Sequence, residues 1–211
     1  NLKQCYEELR KDAATGIDGV SHDKYREDLE ANLQDLVKRL KTNRYQATDI
    51  RRVCIPKPEG GERPLGILAL EDKIVQKAVA KIFDAIYEQD FLDDSYGFRA
   101  KRNCHDALKA VELGIMKRGV NYLLDVDIKG YFDTINHTWL MKMLRERIAD
   151  RTILRLIGKW LRVGILEEGR RRYNELGVPQ GGVISPILAN IYLHYALDLW
   201  VKRVIGKEIS G

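Results

Sequence analysis

The chain has 211 residues, 45% of them hydrophobic, and its 36 Lys and Arg against 31 Asp and Glu give a formal charge of +5. That supplies one substantial core or two small lobes, while no apolar run approaches the roughly 20 residues of a membrane span. Cys5, Cys54 and Cys104 are too far apart for a zinc site or a disulfide framework, and Asn1-Leu2-Lys3-Gln4 carries no apolar signal stretch, so membrane, zinc and secreted disulfide classes are set aside and a cytoplasmic location is expected.

Leu2, Tyr6 and Leu9 repeat at helical spacing until Thr15-Gly16-Ile17-Asp18-Gly19 breaks the pattern. A helix is predicted over 22–42, with Tyr25, Leu29, Leu33, Leu36, Val37 and Leu40 inward. Two β-prone runs, joined by Pro56-Lys57-Pro58-Glu59-Gly60-Gly61-Glu62, predict a hairpin over 51–67. Its prolines stiffen the approach and its glycines permit the turn. Amphipathic helices follow over 71–88, with Ile74, Val75, Ala78, Ile82 and Ile86 inward, and over 103–117, where Asn103 followed by Asp106 is a start signal.

The run from Tyr122 to Asp133 predicts a strand ending in acids and aromatics. Period two puts Asp125 and Asp127 on one face and Leu124, Val126 and Ile128 on the other. Acids are depleted in strands, and a bound Mg²⁺ would compensate them; the alternative is a strand end where Asp125 and Asp133 cap turns.

Helices are predicted over 137–147 and 151–162, then a hairpin over 163–175 turning at Glu168-Gly169. A last helix opens with Ser185 as N-cap and Pro186 at the first helical position. Between Lys142 and Arg172 ten basic residues face four acids, a net +6 larger than the whole chain's charge. Such a stripe suits a phosphate backbone, and a solvated helix face is the alternative. In Gly177-Val178-Pro179-Gln180-Gly181-Gly182-Val183-Ile184-Ser185-Pro186 the paired glycines allow close backbone approach to a base or sugar, with Gln180 able to donate and accept. An ordinary strand-to-helix loop is the alternative there.

Together and in this order, Ile55-Pro56-Lys57-Pro58 with Arg63-Pro64-Leu65-Gly66-Ile67, Ser95-Tyr96-Gly97-Phe98-Arg99, Asp127-Ile128-Lys129-Gly130-Tyr131-Phe132-Asp133 and the Gly177–Pro186 loop closely resemble the fingers and palm of group II intron-encoded reverse transcriptases, the maturases. Gly16-Ile17-Asp18-Gly19 is similar to the family's amino-terminal pattern, so the resemblance covers essentially the whole chain. It implies an α+β right-hand polymerase fold: fingers over 1–118, helical with a β-hairpin, and a palm of antiparallel strands packed on helices over 119–211, with basic helices inserted at 137–162.

The resemblance further implies an RNA-directed DNA polymerase using two Mg²⁺ ions, with group II intron RNA, an RNA template with DNA primer, and deoxynucleoside triphosphates as partners. Asp127 matches the catalytic metal-binding acid, and the Ile128 carbonyl would be the accompanying ligand. Lys57 and Arg63 match the grip on the incoming triphosphate, Phe132 matches the steric gate against a ribose 2′ hydroxyl, and Gln180 and Gly181 match the loop under the nascent base pair. Arg99 is assigned either a structural or a template-contacting role, and Arg170, Arg171 and Arg172 are RNA-binding candidates. Asp133 is expected to hold the turn or a neighbouring backbone.

The family's other two metal-binding acids lie in a Tyr-Ala-Asp-Asp motif that these 211 residues lack, and Asp198, inside an apolar helical pattern, does not replace them. The expectation is a truncated palm that holds metal weakly or not at all and does not polymerise by itself, in a cytoplasmic bacterial ribonucleoprotein. A homodimer is open. Two other functions compete: an RNA-binding splicing cofactor, and a metal-dependent nuclease using Asp125 and Asp127.

Overall fold

The computed structural model describes residues 1–56, 60–118, 120, 122–167, 169–173 and 175–205. The helices are α1 (Leu2–Glu7), α2 (His22–Glu27), α3 (Leu29–Lys41), α4 (Leu70–Tyr87), α5 (Cys104–Arg118), α6 (Tyr131–Thr134), α7 (His137–Arg145), α8 (Arg151–Leu161) and α9 (Ser185–Leu193), the last followed by π-helical turns His194–Asp198 and Val201–Ile205. Four starts are fixed by short polar side chains. Ser21, Asn103, Asn136 and Asp150 accept from the backbone N–H groups of Lys24, Asp106, Trp139, and Thr152 with Ile153, respectively, which satisfies donors that a helix cannot pair internally.

Strands β1 (Ile50–Pro56) and β2 (Glu62–Ile67) form the predicted hairpin, and β3 (Ile165–Glu167) and β4 (Arg170–Arg172) form the second. The two join through a short parallel pairing of Ile50 and Arg51 with Ile165 and Leu166, giving the order β2-β1-β3-β4. This sheet therefore crosses the boundary predicted at 118/119. The core does too: Tyr6, Ile74, Phe83 and Tyr87 belong to the same apolar cluster as Leu140, Leu144, Ile157, Trp160, Leu188 and Ile191. No helix among the described residues is long and apolar enough to cross a membrane.

Three local expectations need correction. The helix predicted over 22–42 divides at Asp28 (φ −124°, ψ 39°), and the Asn32 side chain, rather than a continuing helix, donates to the Tyr25 carbonyl. On α4, Phe83 and Tyr87 fill the core while Ile82 faces outward. Ser185 is the first residue of α9 rather than its cap, because its hydroxyl donates to the Pro179 carbonyl.

The largest correction concerns the strand. Residues 122–128 adopt no regular structure, and Tyr122 and Leu124 are 93% and 87% exposed. A β ladder needs a partner to satisfy its backbone groups, and among the described residues no strand pairs with this segment. The predicted antiparallel palm sheet is consequently absent there.

One buried carboxylate ties three parts of the core. Asp72 of α4 accepts from the Tyr45 hydroxyl and from the Thr48 N–H, while the Trp160 indole N–H of α8 donates to the Tyr45 oxygen. Burial raises the Asp72 pKa against these donors. Asp72→Asn would turn an amide N–H₂ toward one of the two donors, and an unsatisfied buried donor costs about 1–3 kcal/mol. A denaturant titration is expected to show that loss; an unchanged midpoint contradicts it.

Candidate functional site

The Gly177–Pro186 loop is held from three sides. Gly177 N–H donates to Ile135 O at 2.8 Å, Val178 N–H donates to Phe132 O at 2.7 Å, and His137 Nε2 donates to Gly177 O at 2.6 Å. The loop's far side meets the β1–β2 hairpin, where Gly66 N–H donates to Gln180 O at 2.6 Å. Two glycines permit this approach: Gly181, at φ +99°, would drive a Cβ into the Gly66 carbonyl oxygen, and a Cβ on Gly66 would stand 2.8 Å from Ile50 Cγ2 and 3.0 Å from Gln180 O. Only glycine fits such closeness without displacing backbone.

The acidic motif reaches the same place, since Gln180 Nε2 donates to Asp133 Oδ2 at 3.2 Å. Asp133 thus holds a side chain, where a turn or neighbouring backbone was expected. Phe132 meets Phe98 edge-on, with centroids 6.2 Å apart, and Asn190 Nδ2 donates to Gly97 O at 2.7 Å, which brings in the second motif. Tyr131 donates to Ala189 O at 2.6 Å. Burial pushes its pKa up, which keeps the hydroxyl a donor. A small cleft lies at the junction, lined by Arg52, Pro64, Gly66, Asp133 and Gln180 among others.

The other candidates divide. Asp127, Asp125 and the half-exposed Ile128 lie on the open segment, outside any helix or strand. Asp127 and the Ile128 carbonyl are hard oxygen donors of the kind Mg²⁺ takes, but among the described residues no group of three His, Cys, Asp or Glu side chains converges to hold a metal. Lys57 lies outside the described residues. Arg63 pairs with Ile55 in the hairpin through its backbone, and its side chain likewise lies outside them.

The Arg99 side chain is 3% exposed and donates to both Glu88 oxygens and to the carbonyls of Leu92 and Ser95, contacts that suit the structural one of its two expected roles. The bond from Arg99 holds the Glu88 carboxyl below its usual range, so this pair locks the loop leading into the second motif. Arg170, Arg171 and Arg172 are exposed on β4, with Arg171 bound to Asp49 at 2.7 Å and Arg172 3.9 Å from Glu167. Sequence reasoning missed His137, Asn190 and the closing role of Gly66. The Gly66 neighbourhood was visible as a motif, but its partner lies more than a hundred residues away.

A family model described as reverse transcriptase (RNA-dependent DNA polymerase) matches residues 55–210. Protein YkfC of Escherichia coli (strain K12) is 42% identical over 182 residues, covering 85% of this chain and 48% of that protein. The group II intron-encoded protein LtrA of Lactococcus lactis subsp. cremoris is 38% identical over 203 residues, covering 95% and 33%. The putative COX1/OXI3 intron 1 protein of Saccharomyces cerevisiae is 38% identical over 180 residues, covering 85% and 21%. The chain thus spans half or less of these relatives' length. Among solved structures, a partial Cas6-RT-Cas1–Cas2 complex aligns with a TM-score of 0.59 at 23% identity, covering 97% of this chain and 33% of that one, a likeness of fold.

Proposed function

The chain belongs to the reverse transcriptase family, in its group II intron-encoded branch, and from that premise we propose that it forms the fingers and part of the palm of an enzyme that copies RNA into DNA and assists splicing of its intron RNA. The observation that carries this is the junction of Gln180 with Gly66 and Asp133, where motifs from opposite ends of the chain build one cleft. A nuclease working only through Asp125 and Asp127 leaves that junction without a role. The partners are intron RNA, an RNA template with DNA primer, and deoxynucleoside triphosphates, in a cytoplasmic bacterial ribonucleoprotein.

The loop from Gly177 to Gly182 supports the nascent base pair and the nucleotide sugar, with Lys57 and Arg63 neutralising the triphosphate. Asp127 and the Ile128 carbonyl would hold Mg²⁺. A bound pair of ions supplies a lowered pKa at the primer hydroxyl and charge stabilisation at the leaving oxygen. Tyr131 is committed to Ala189 while Phe132 packs on the exposed Phe98 ring, which supports Phe132 as the residue that crowds a 2′ hydroxyl. Phe132→Ala in the full-length parent is expected to relax discrimination against ribonucleotides by about 10- to 100-fold, and Tyr131→Phe to leave it intact. Competition between ribo- and deoxynucleotides measures this; equal discrimination in both variants contradicts the assignment.

The test of the function is primer extension on RNA with Mg²⁺. The parent is expected to extend. These 211 residues alone are not, since Asp127 stands on an unpaired segment; robust synthesis by them contradicts the requirement for a completed palm.

A further inference from the structure

A second surface lies on the outer side of α8. Arg151, Arg155 and Lys159 recur at intervals of four, which at 100° per residue confines them to roughly an 80° sector of the helix, and Arg162 follows as its C-cap. Ile157, Trp160 and Leu161 occupy the opposite side and are buried. Trp160 and Leu161 also line the cleft beside Asp133 and Gln180, so the cations face away from that cleft. Two furrows that share Lys159 lie along this outer side, between α8 and the 42–49 connection from α3 to β1. One is lined by Asn43, Tyr45, Thr152, Arg155 and Lys159, the other by Gln46, Asp49, Lys159, Arg162 and Arg171.

The charge here is not internally neutralised. Asp49 is occupied by Arg171. Among the described residues Arg151, Arg155, Lys159 and Arg162 form no salt bridge; Lys159 donates to the Tyr45 carbonyl and Arg155 Nε to Arg151 O at 3.3 Å, which leaves terminal donors on both. Lys41, the last residue of α3, and Arg44 just beyond it are exposed nearby in the chain. Cations spaced about one helical turn apart match successive phosphates, and the neutral donors and acceptors of Asn43, Gln46 and Thr152 suit ribose 2′ hydroxyls between them.

We propose that this furrow binds the phosphate backbone of a structured RNA at a place separate from the polymerisation cleft, anchoring the RNA while the cleft works. The proposal builds on the polymerase reading above by naming where RNA is held away from the chemistry.

The test is made on the full-length parent with Arg151, Arg155 and Arg162 all changed to Glu, and with all three changed to Lys as the charge-preserving control. Binding of a hairpin RNA is measured across a salt series, beside extension of a short template–primer duplex. The Glu variant is expected to flatten the dependence of log affinity on log salt by about 2 and to weaken binding at least about tenfold. The Lys variant should keep the wild-type slope, and both variants should extend the short duplex at the wild-type rate. An unchanged slope in the Glu variant overturns the proposal. Loss of short-duplex extension by the Glu variant alone also overturns it, placing the furrow on the template path, as does lost binding to phosphatidylserine vesicles with RNA affinity intact. Failure of the wild-type parent to extend the duplex, with the slope change still present, would count against the polymerase reading and leave the anchor standing.

Discussion

Asp127→Asn in the full-length parent is expected to reduce DNA synthesis by at least about a thousandfold, equivalent to about 4 kcal/mol of transition-state stabilisation. The substitution keeps the side chain's shape and removes its charge, which is what a divalent ion requires of a carboxylate ligand. It should do this without harming the fold, because Asp127 is exposed and takes no part in the side-chain hydrogen bonds of the described residues. The thermal midpoint and the RNA affinity are therefore expected to stay at wild-type values while single-turnover incorporation collapses. Retained synthesis would remove Asp127 from the metal site, and a lowered midpoint would show a structural duty.

Gly181→Ala should produce the second large loss, by a different route. At φ +99° an alanine is strained, and its Cβ would run into the Gly66 carbonyl oxygen, so the bond from Gly66 N–H to Gln180 O cannot persist. Strain and overlap together cost about 2–4 kcal/mol. The loop would move off the hairpin, taking Gln180 from Asp133. Gly169→Ala is the matched control, since Gly169 also has positive φ, at +75°, but nothing lies within 4 Å of its added Cβ. The expected outcome is a rise in nucleotide KM and at least a tenfold drop in kcat/KM for Gly181→Ala, with Gly169→Ala close to wild type. Equal effects would assign the loss to backbone strain alone.

Much of this was legible in the sequence where the controlling interactions are local. The start signal at Asn103 bonds three residues away, and both hairpins close across short connections. The failures have non-local causes. Ser185 has the right chemistry for a cap, yet its hydroxyl donates to a carbonyl six residues back. Arg99, open in the sequence between a structural and a template role, is surrounded by Glu88 and two carbonyls four to eleven residues back. The alternation in 122–128 is genuine, but alternation specifies which face a strand buries and does not provide the neighbouring strand. The site followed the same division: its motifs were readable singly, while the contact of Gly66 with Gln180, and the parallel pairing of β1 with β3 that helps place the hairpin, depend on residues more than a hundred positions apart.

The most direct measurement is incorporation of a single deoxynucleotide opposite an RNA template by the full-length parent, with the primer ending in either a 3′ hydroxyl or a 3′ deoxy terminus. Incorporation that follows template complementarity, needs Mg²⁺ and vanishes with the 3′ deoxy primer is the result predicted. Template-independent addition, or cleavage of the RNA with no need for a primer, would contradict the assignment of this cleft to templated DNA synthesis.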